Sequence, residues 1–269
     1  MPSARTVLGD VPSADLGVCD AHDHLFFRSA QLAGQELDDA DAATAELRSF
    51  GDLGGRAVVQ WTPFGLGRRA DLLAGVSRAS GVAVIAATGL HQAAHYDDPA
   101  AVRAMLPRLA GLFIEELTTG MRPDPGTAAG SDLAAPLPRA GLIKVAGSFH
   151  HLDAHARQTM IAAAEAQHAT GAPIGVHHEL GTAALDVADL LCGQLQVPAD
   201  KVILGHLNRL PDPYLQRQAA QTGAFLAFDG PSRANHATDW RLHEGLAELG
   251  DAVAEKFFVR NPARAFSWA

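Results

Sequence analysis

The feature that most constrains this chain is a repeated alternation. Short apolar runs, several rich in Val and Ile and bounded by Gly or Pro, alternate with longer Ala- and Leu-rich amphipathic stretches. Seven runs read as strands: residues 17–21, 57–62, 82–88, 142–146, 173–177, 202–207 and 224–228. Between them, Asp153 is placed to cap a helix that runs to about Thr170, where Gly171 ends it. Residues 182–192 form a second helix, and Pro213 opens a third that Gly223 closes. Strands that alternate with helices imply βαβ units and a parallel sheet. Near-continuous apolar strands imply burial on both faces, as in a barrel or a doubly wound sheet.

No G-x-G-x-x-G follows the first strand and no G-x-x-x-x-G-K-[ST] occurs, so nucleotide-binding versions of the doubly wound fold lose weight. Residues 123–138, rich in Pro, Gly and Ala, read as an irregular insertion, and residues 1–269 as a single domain. An apolar share of 48% supplies a large core, and a net charge of -9 gives no support to nucleic-acid binding or a membrane surface. Cys19 and Cys192 form neither a disulfide framework nor a thiolate zinc cluster. Without an apolar leader or a run of about 20 apolar residues, the expectation is a cytoplasmic protein.

The chemistry lies in polar residues at the ends of strands. His22 and His24 end the first strand in Asp-Ala-His-Asp-His-Leu, and residues i and i+2 of a strand share a side. Two imidazoles there can grip one metal ion, although alone they read equally as solvated loop residues. Lys144 stands in Gly-Leu-Ile-Lys-Val-Ala-Gly, in a chain where only 3 lysines accompany 18 arginines. An ammonium inside a buried strand is costly unless it is paired or neutral. Such an amine can form a Schiff base, or take up carbon dioxide as a carbamate that bridges two metals. It can also be a lysine that reaches solvent. His177 and His206 end the fifth and sixth strands. Each alone is an ordinary core or loop histidine. Together, the order HxH, Lys, His, His falls on successive parallel strand ends, which converge on the active-site face of a (β/α) barrel. Neutral imidazole suits zinc and similar divalent ions.

At this point the chain resembles the phosphotriesterase family of the amidohydrolase superfamily. The matching pieces are His22-Asp-His24, the run VVQWTPFGLGR at 58–68, AATGL at 86–90, Ile143-Lys-Val145, ATGAPI at 169–174, His177, Gly205-His206, Phe228-Asp-Gly230 and NPARAF at 261–266. The resemblance implies a distorted TIM-type (β/α)8 barrel with a binuclear metal centre, often zinc. It implies that His22 and His24 bind the more buried ion, that carboxylated Lys144 bridges both, and that His177 and His206 bind the more exposed ion, with a hydroxide between the two. The implied activity is hydrolysis of a lactone, carboxylic ester or phosphotriester. His91 and Tyr96 (with His95) after the third strand, and Arg233 after the seventh, are the expected substrate contacts.

The match fails at the eighth strand. The family supplies one more ligand there, an aspartate that also helps move the proton of the attacking water. After Asp229 no apolar strand followed by Asp can be found, and the segment around Leu249 to Asp251 looks deleted. Asp229 is the nearest substitute, as ligand and catalytic carboxylate, although an aspartate there is also an ordinary family residue that supports a ligand or contacts substrate; Asp239 is a weaker substitute. The gap must be closed by pairing of the first and seventh strands, by a loop or by a partner chain, which encourages a homodimer. Gln60 stands where many relatives carry Asp. His150, His151 and His155 offer a weak third metal site, while Trp61 and Trp268 read as packing residues. Two other readings stay open: a degenerate, non-catalytic member that binds a ligand or partner, and a Schiff-base enzyme using Lys144.

Overall fold

The computed structural model describes residues 2–125, 137–229 and 251–268. The seven expected strands are β3 (Val18–Asp23), β4 (Gly55–Gln60), β5 (Ala83–Gly89), β6 (Leu142–Ala146), β7 (Ile174–His177), β8 (Val202–Leu204) and β9 (Phe225–Leu226). They pair in chain order, every pair parallel, as one curled seven-stranded sheet. This is a distorted TIM-type barrel.

Alternation along the strands separates two apolar layers. Val58, Val84, Ile143, Val145, Ile174 and Val176 pack outward against the helices. Ala57, Val59, Trp61, Ile85, Leu142 and Ile203 fill the interior. Trp61 is fully buried there, its indole N–H donating to Ala21 O at 2.7 Å. Gly175 makes room for it: a Cβ at that position would meet the indole at 2.7 Å.

Aspartates start the helices. Asp39 caps α1 (Ala40–Asp52), Asp98 caps α3 (Pro99–Met105), Asp153 caps α5 (Ala154–Thr170) and Asp212 caps α7 (Pro213–Gln221), each accepting orphan N–H groups of the first turn. α2 (Ala70–Ser80) and α4 (Leu109–Thr118) complete the first half. Gly171 ends α5 in a left-handed conformation, φ +77°. The second expected helix is shorter than its sequence suggests: α6 covers Ala184–Ala188, and a wider π-type turn continues it to Gln194. α8 (Asp251–Glu255) continues likewise to Arg260, and α9 (Asn261–Ala265) follows.

One sheet was not foreseen. β1 (Ser3–Thr6) pairs antiparallel with β2 (Gly9–Pro12) and with β10 (Ser267–Trp268). Trp268 is buried there under the Arg5 guanidinium, 3.8 Å from the ring centroid. Among the described residues β3 and β9 are the two end strands and do not pair. The outer flank of β3 is met by the helical turn Lys256–Arg260, whose Cα atoms come within 8 Å of the strand. No helix of the described residues is long and apolar enough to cross a membrane.

A buried ionic knot joins α4 to the strand ends. Arg68 is fully buried and donates to both oxygens of Glu116, at 2.6 and 2.8 Å. Glu116 also accepts from Thr88 Oγ1 at 2.6 Å and from Arg122 N at 2.8 Å, so each carboxylate oxygen has two donors. Asp124 accepts from Gly65 N and Arg68 N at 2.8 and 2.7 Å.

Candidate metal centre

Strand ends bring the sequence-chosen histidines together. At the end of β3 the register slips against β4, so that Asp20 faces Val58 but Asp23 faces Gln60. This bulge re-aims the residues that follow. Gln60 then fixes the turn beyond: its Oε1 accepts from Leu25 N at 3.0 Å and its Nε2 donates to Phe26 O at 2.9 Å. Thr62 donates its one hydroxyl hydrogen to the same Phe26 O at 2.6 Å. Towards His24 Nδ1, 2.8 Å away, Thr62 Oγ1 is therefore an acceptor, which makes Nε2 the acceptor atom of the His24 ring.

The rings form a continuous chain. Centroid separations are 5.6 Å for His24–His22, 4.5 Å for His22–His206, 4.4 Å for His206–His177, 4.6 Å for His177–His91 and 4.3 Å for the stacked pair His91–His95. His22 also lies on Trp61 at 4.1 Å. Burial holds His22, His91 and His177 well below the usual imidazole range, and neighbouring histidines and Lys144 push the same way. Burial lowers His206 too, against the opposing pull of Asp229. These imidazoles are neutral at pH 7, the form that binds metals.

Lys144 projects from the interior face of β6 with 2% of its surface exposed. Burial lowers its ammonium to about 7, with Glu179 opposing the shift. Glu179 Oε2 accepts from His177 Nε2 and from Gln92 Nε2, both at 3.2 Å, so His177 presents Nδ1 as its acceptor. His206 follows Gly205 in a left-handed conformation, φ +64°, which is strained for a residue with a side chain.

Asp229 lies three residues beyond the end of β9. Its Oδ2 is 2.8 Å from His206 Nδ1 and 2.5 Å from Arg209 Nη2. Burial alone would raise its proton affinity, but His206 and Arg209 more than reverse this and hold it below the usual carboxylate range. One donor atom each from His22, His206 and Asp229 lies within 4.8 Å of the others, the only such group of three among the described residues. His22 Nδ1 and Asp229 Oδ1 are buried with no hydrogen-bond partner, and His206 Nδ1, though close to Asp229, is not aligned to bond it. Orphaned buried polar atoms are costly. Donor atoms converging from two imidazoles and an ionised carboxylate are the set a divalent ion takes. The residues present fit a metal.

The other candidates fall in different places. His91 is buried against His177. Tyr96 is buried, and its hydroxyl accepts from His91 N at 2.9 Å, so it supports the backbone of His91. Arg233 and Asp239 lie outside the described residues. His150, His151 and His155 do not converge: His155 Nε2 meets His91 O at 2.8 Å, while His151 Nδ1 meets Phe149 O at 2.7 Å. The sequence reading missed Asn208, Arg209 and Glu179, whose surroundings depend on residues far away in the chain.

Comparison with known proteins bears on the family and the fold. The phosphotriesterase family model matches residues 2–235, leaving 236–269 outside the match. A phospho-furanose lactonase of Mycoplasmopsis synoviae is 34% identical over 265 residues, covering 94% of this chain and 74% of that protein. An amidohydrolase of Mycoplasma synoviae superposes with a TM-score of 0.83 at 25% identity, covering 100% of this chain and 92% of that one. A lactonase from Listeria monocytogenes shares the fold with a TM-score of 0.84 at 24% identity, covering 99% of each chain.

Proposed function

The chain belongs to the phosphotriesterase family, and from that premise we propose that it is a metal-dependent hydrolase of a lactone or phosphotriester, with two divalent ions, zinc first among them. The observation that carries this reading is the convergence of donor atoms from His22, His206 and Asp229, in a barrel whose interior also buries Lys144. When bound, such ions supply a water that ionises at neutral pH and an electrophile for the carbonyl or phosphoryl oxygen of the substrate.

The residues do the rest. His22 and His24 hold one ion, with His24 oriented by Thr62; His177 and His206 hold the other, with His177 oriented by Glu179. Lys144, with its amine nitrogen bonded to the carbon of carbon dioxide and one proton given to solvent, would supply a carbamate able to serve both ions. Asp229 stands beside them as the catalytic carboxylate. His91, with Arg233 in the loop after β9, contacts a small-molecule substrate, and Tyr96 sets the backbone of His91. The names of the lactonase relatives put phosphorylated furanose lactones first among substrates to try. The same reading keeps the expectations of a cytoplasmic enzyme and a homodimer.

The test compares wild type with Lys144→Ala, both purified without chelators. Metal per chain is read by mass spectrometry, and turnover on a panel of lactones, esters and phosphotriesters. The expected result is about two ions and turnover in wild type, both lost together in the variant. An active, metal-replete Lys144→Ala would overturn the mechanism. Absence of turnover with every metal would favour the non-catalytic reading.

A further inference from the structure

We propose that Asp229 is a metal ligand through Oδ1, on the ion that His22 would hold and beside His206, and that Asn208 and Arg209 are the positioning residues that hold it there. The inference rests on the metal-centre reading above and adds to it the group that stands in for the eighth-strand aspartate.

β9 is only two residues long, and past Leu226 the backbone still pairs at Ala227, whose N–H donates to Leu204 O at 2.8 Å and whose C=O accepts from Leu207 N at 3.3 Å. Asp229, two residues further on, is not fixed by the sheet. Asn208 does this instead. Its Oδ1 accepts from Asp229 N at 3.1 Å, and its Nδ2 donates to Asp229 O at 2.5 Å. One side-chain amide thus satisfies both backbone groups, as a neighbouring strand would. A side-chain amide can accept and donate through its two separate atoms; a carboxylate cannot donate.

The carboxylate is fixed separately. Arg209 Nη2 donates to Oδ2, the oxygen that also faces His206 Nδ1. Oδ1 is left buried without a partner, as is His22 Nδ1, and one donor atom of His22 lies within 4.8 Å of one carboxylate oxygen of Asp229. The two oxygens therefore divide their work: one is held by the protein and one is open to a ligand. Asn208 and Arg209 lie in the short turn Leu207–Arg209 that directly follows His206. That turn ties two donors from different strands, His206 and Asp229, into one unit.

The experiment measures metal per chain, zinc affinity by chelator competition, and the visible spectrum of the cobalt-substituted protein. The proteins are wild type, Asp229→Asn, Asn208→Ala, Arg209→Met and Arg209→Lys. Asp229→Asn is expected to lose one of the two ions and to change the cobalt spectrum. Asn208→Ala and Arg209→Met are expected to weaken binding about 10–100-fold, the usual effect of groups that orient ligands. Arg209→Lys, which can still donate to Oδ2, is expected to recover most of that loss. Should Asp229→Asn fail to fold, the two positioning variants decide: unchanged zinc affinity in both overturns the proposal. So does an Asp229→Asn protein with the stoichiometry and cobalt spectrum of wild type. A wild-type protein that binds no zinc or cobalt sinks the metal-centre reading itself, whereas metal in wild type with no effect of the variants sinks only this inference.

Discussion

Arg68 and Lys144 are both buried cations near the strand ends of one barrel, and their surroundings are opposite. Arg68 meets a carboxylate whose two oxygens are each doubly bonded, and its charge is neutralised within the fold. Lys144 meets imidazoles that are themselves short of partners, and no carboxylate among the described residues pairs with its ammonium. Burial of a charged group does not by itself mark a site. A cation bound bidentately by a carboxylate whose oxygens are all bonded reads as architecture, while donors that converge on no such partner read as a place for something else.

The sharpest way to break this contrast is to remove one side of the closed knot. Glu116→Leu removes the bidentate partner of buried Arg68 and leaves Asp124, 3.6 Å from its Nε, as the remaining carboxylate, which costs about 3 kcal/mol. Urea unfolding of the metal-free protein should show that loss. Metal bound per folded chain should stay at the wild-type value, because none of the ring contacts involves Glu116. Equal stability in the variant, or loss of metal from a folded variant, would mean that the two clusters are not separate.

The contrast also explains what could be read from the sequence. The seven barrel strands were legible because strands covered on both faces are almost purely apolar, so a lysine or histidine at their ends stands out. His22, His24, Lys144, His177 and His206 were found in this way. The run 202–207 ends early, at Leu204, because His206 turns left-handed, and 224–228 shrinks to Phe225–Leu226, with the turn after His206 taking its next contacts through Leu207 N to Ala227 O and Asn208 to Asp229. Neither is a local property. The sheet β2–β1–β10 was missed for the same reason: Ser3 pairs with Trp268 at the other end of the chain. Arg68 stood in plain view in the run 58–68, but its partner Glu116 lies inside an ordinary helix, and only the fold brings them together.

A second prediction uses pH. Lys144 loses its proton at about 7 in the folded chain, against an ordinary value of 10.5 when unfolded. Between those values the unfolded chain holds a proton that the folded chain does not, so stability rises with pH. Below pH 7 both forms are charged, and the burden on the fold is complete. In metal-free protein free of carbon dioxide, wild type should gain about 2 kcal/mol relative to Lys144→Met between pH 7 and 9. Lys144→Met should be the more stable of the two at pH 6. A parallel pH dependence of both proteins would mean that Lys144 is paired after all, and the difference from Arg68 would disappear.

The smallest effect lies between the two extremes, at Gln60. It is buried like Arg68 and fully satisfied, yet it supports the turn that carries His24. Its amide meets one N–H and one C=O, a pair that a carboxylate cannot serve, since it would face Phe26 O with a lone pair. Thr62 still donates to that carbonyl, so the loss in Gln60→Glu should be limited to about 1–2 kcal/mol. Zinc affinity should fall by less than in Asp229→Asn, because His24 keeps its hydrogen bond to Thr62. If Gln60→Glu instead lost metal as completely as a ligand variant, the closed network around Gln60 would belong to the metal centre, and satisfied hydrogen bonds would no longer separate architecture from chemistry in this barrel.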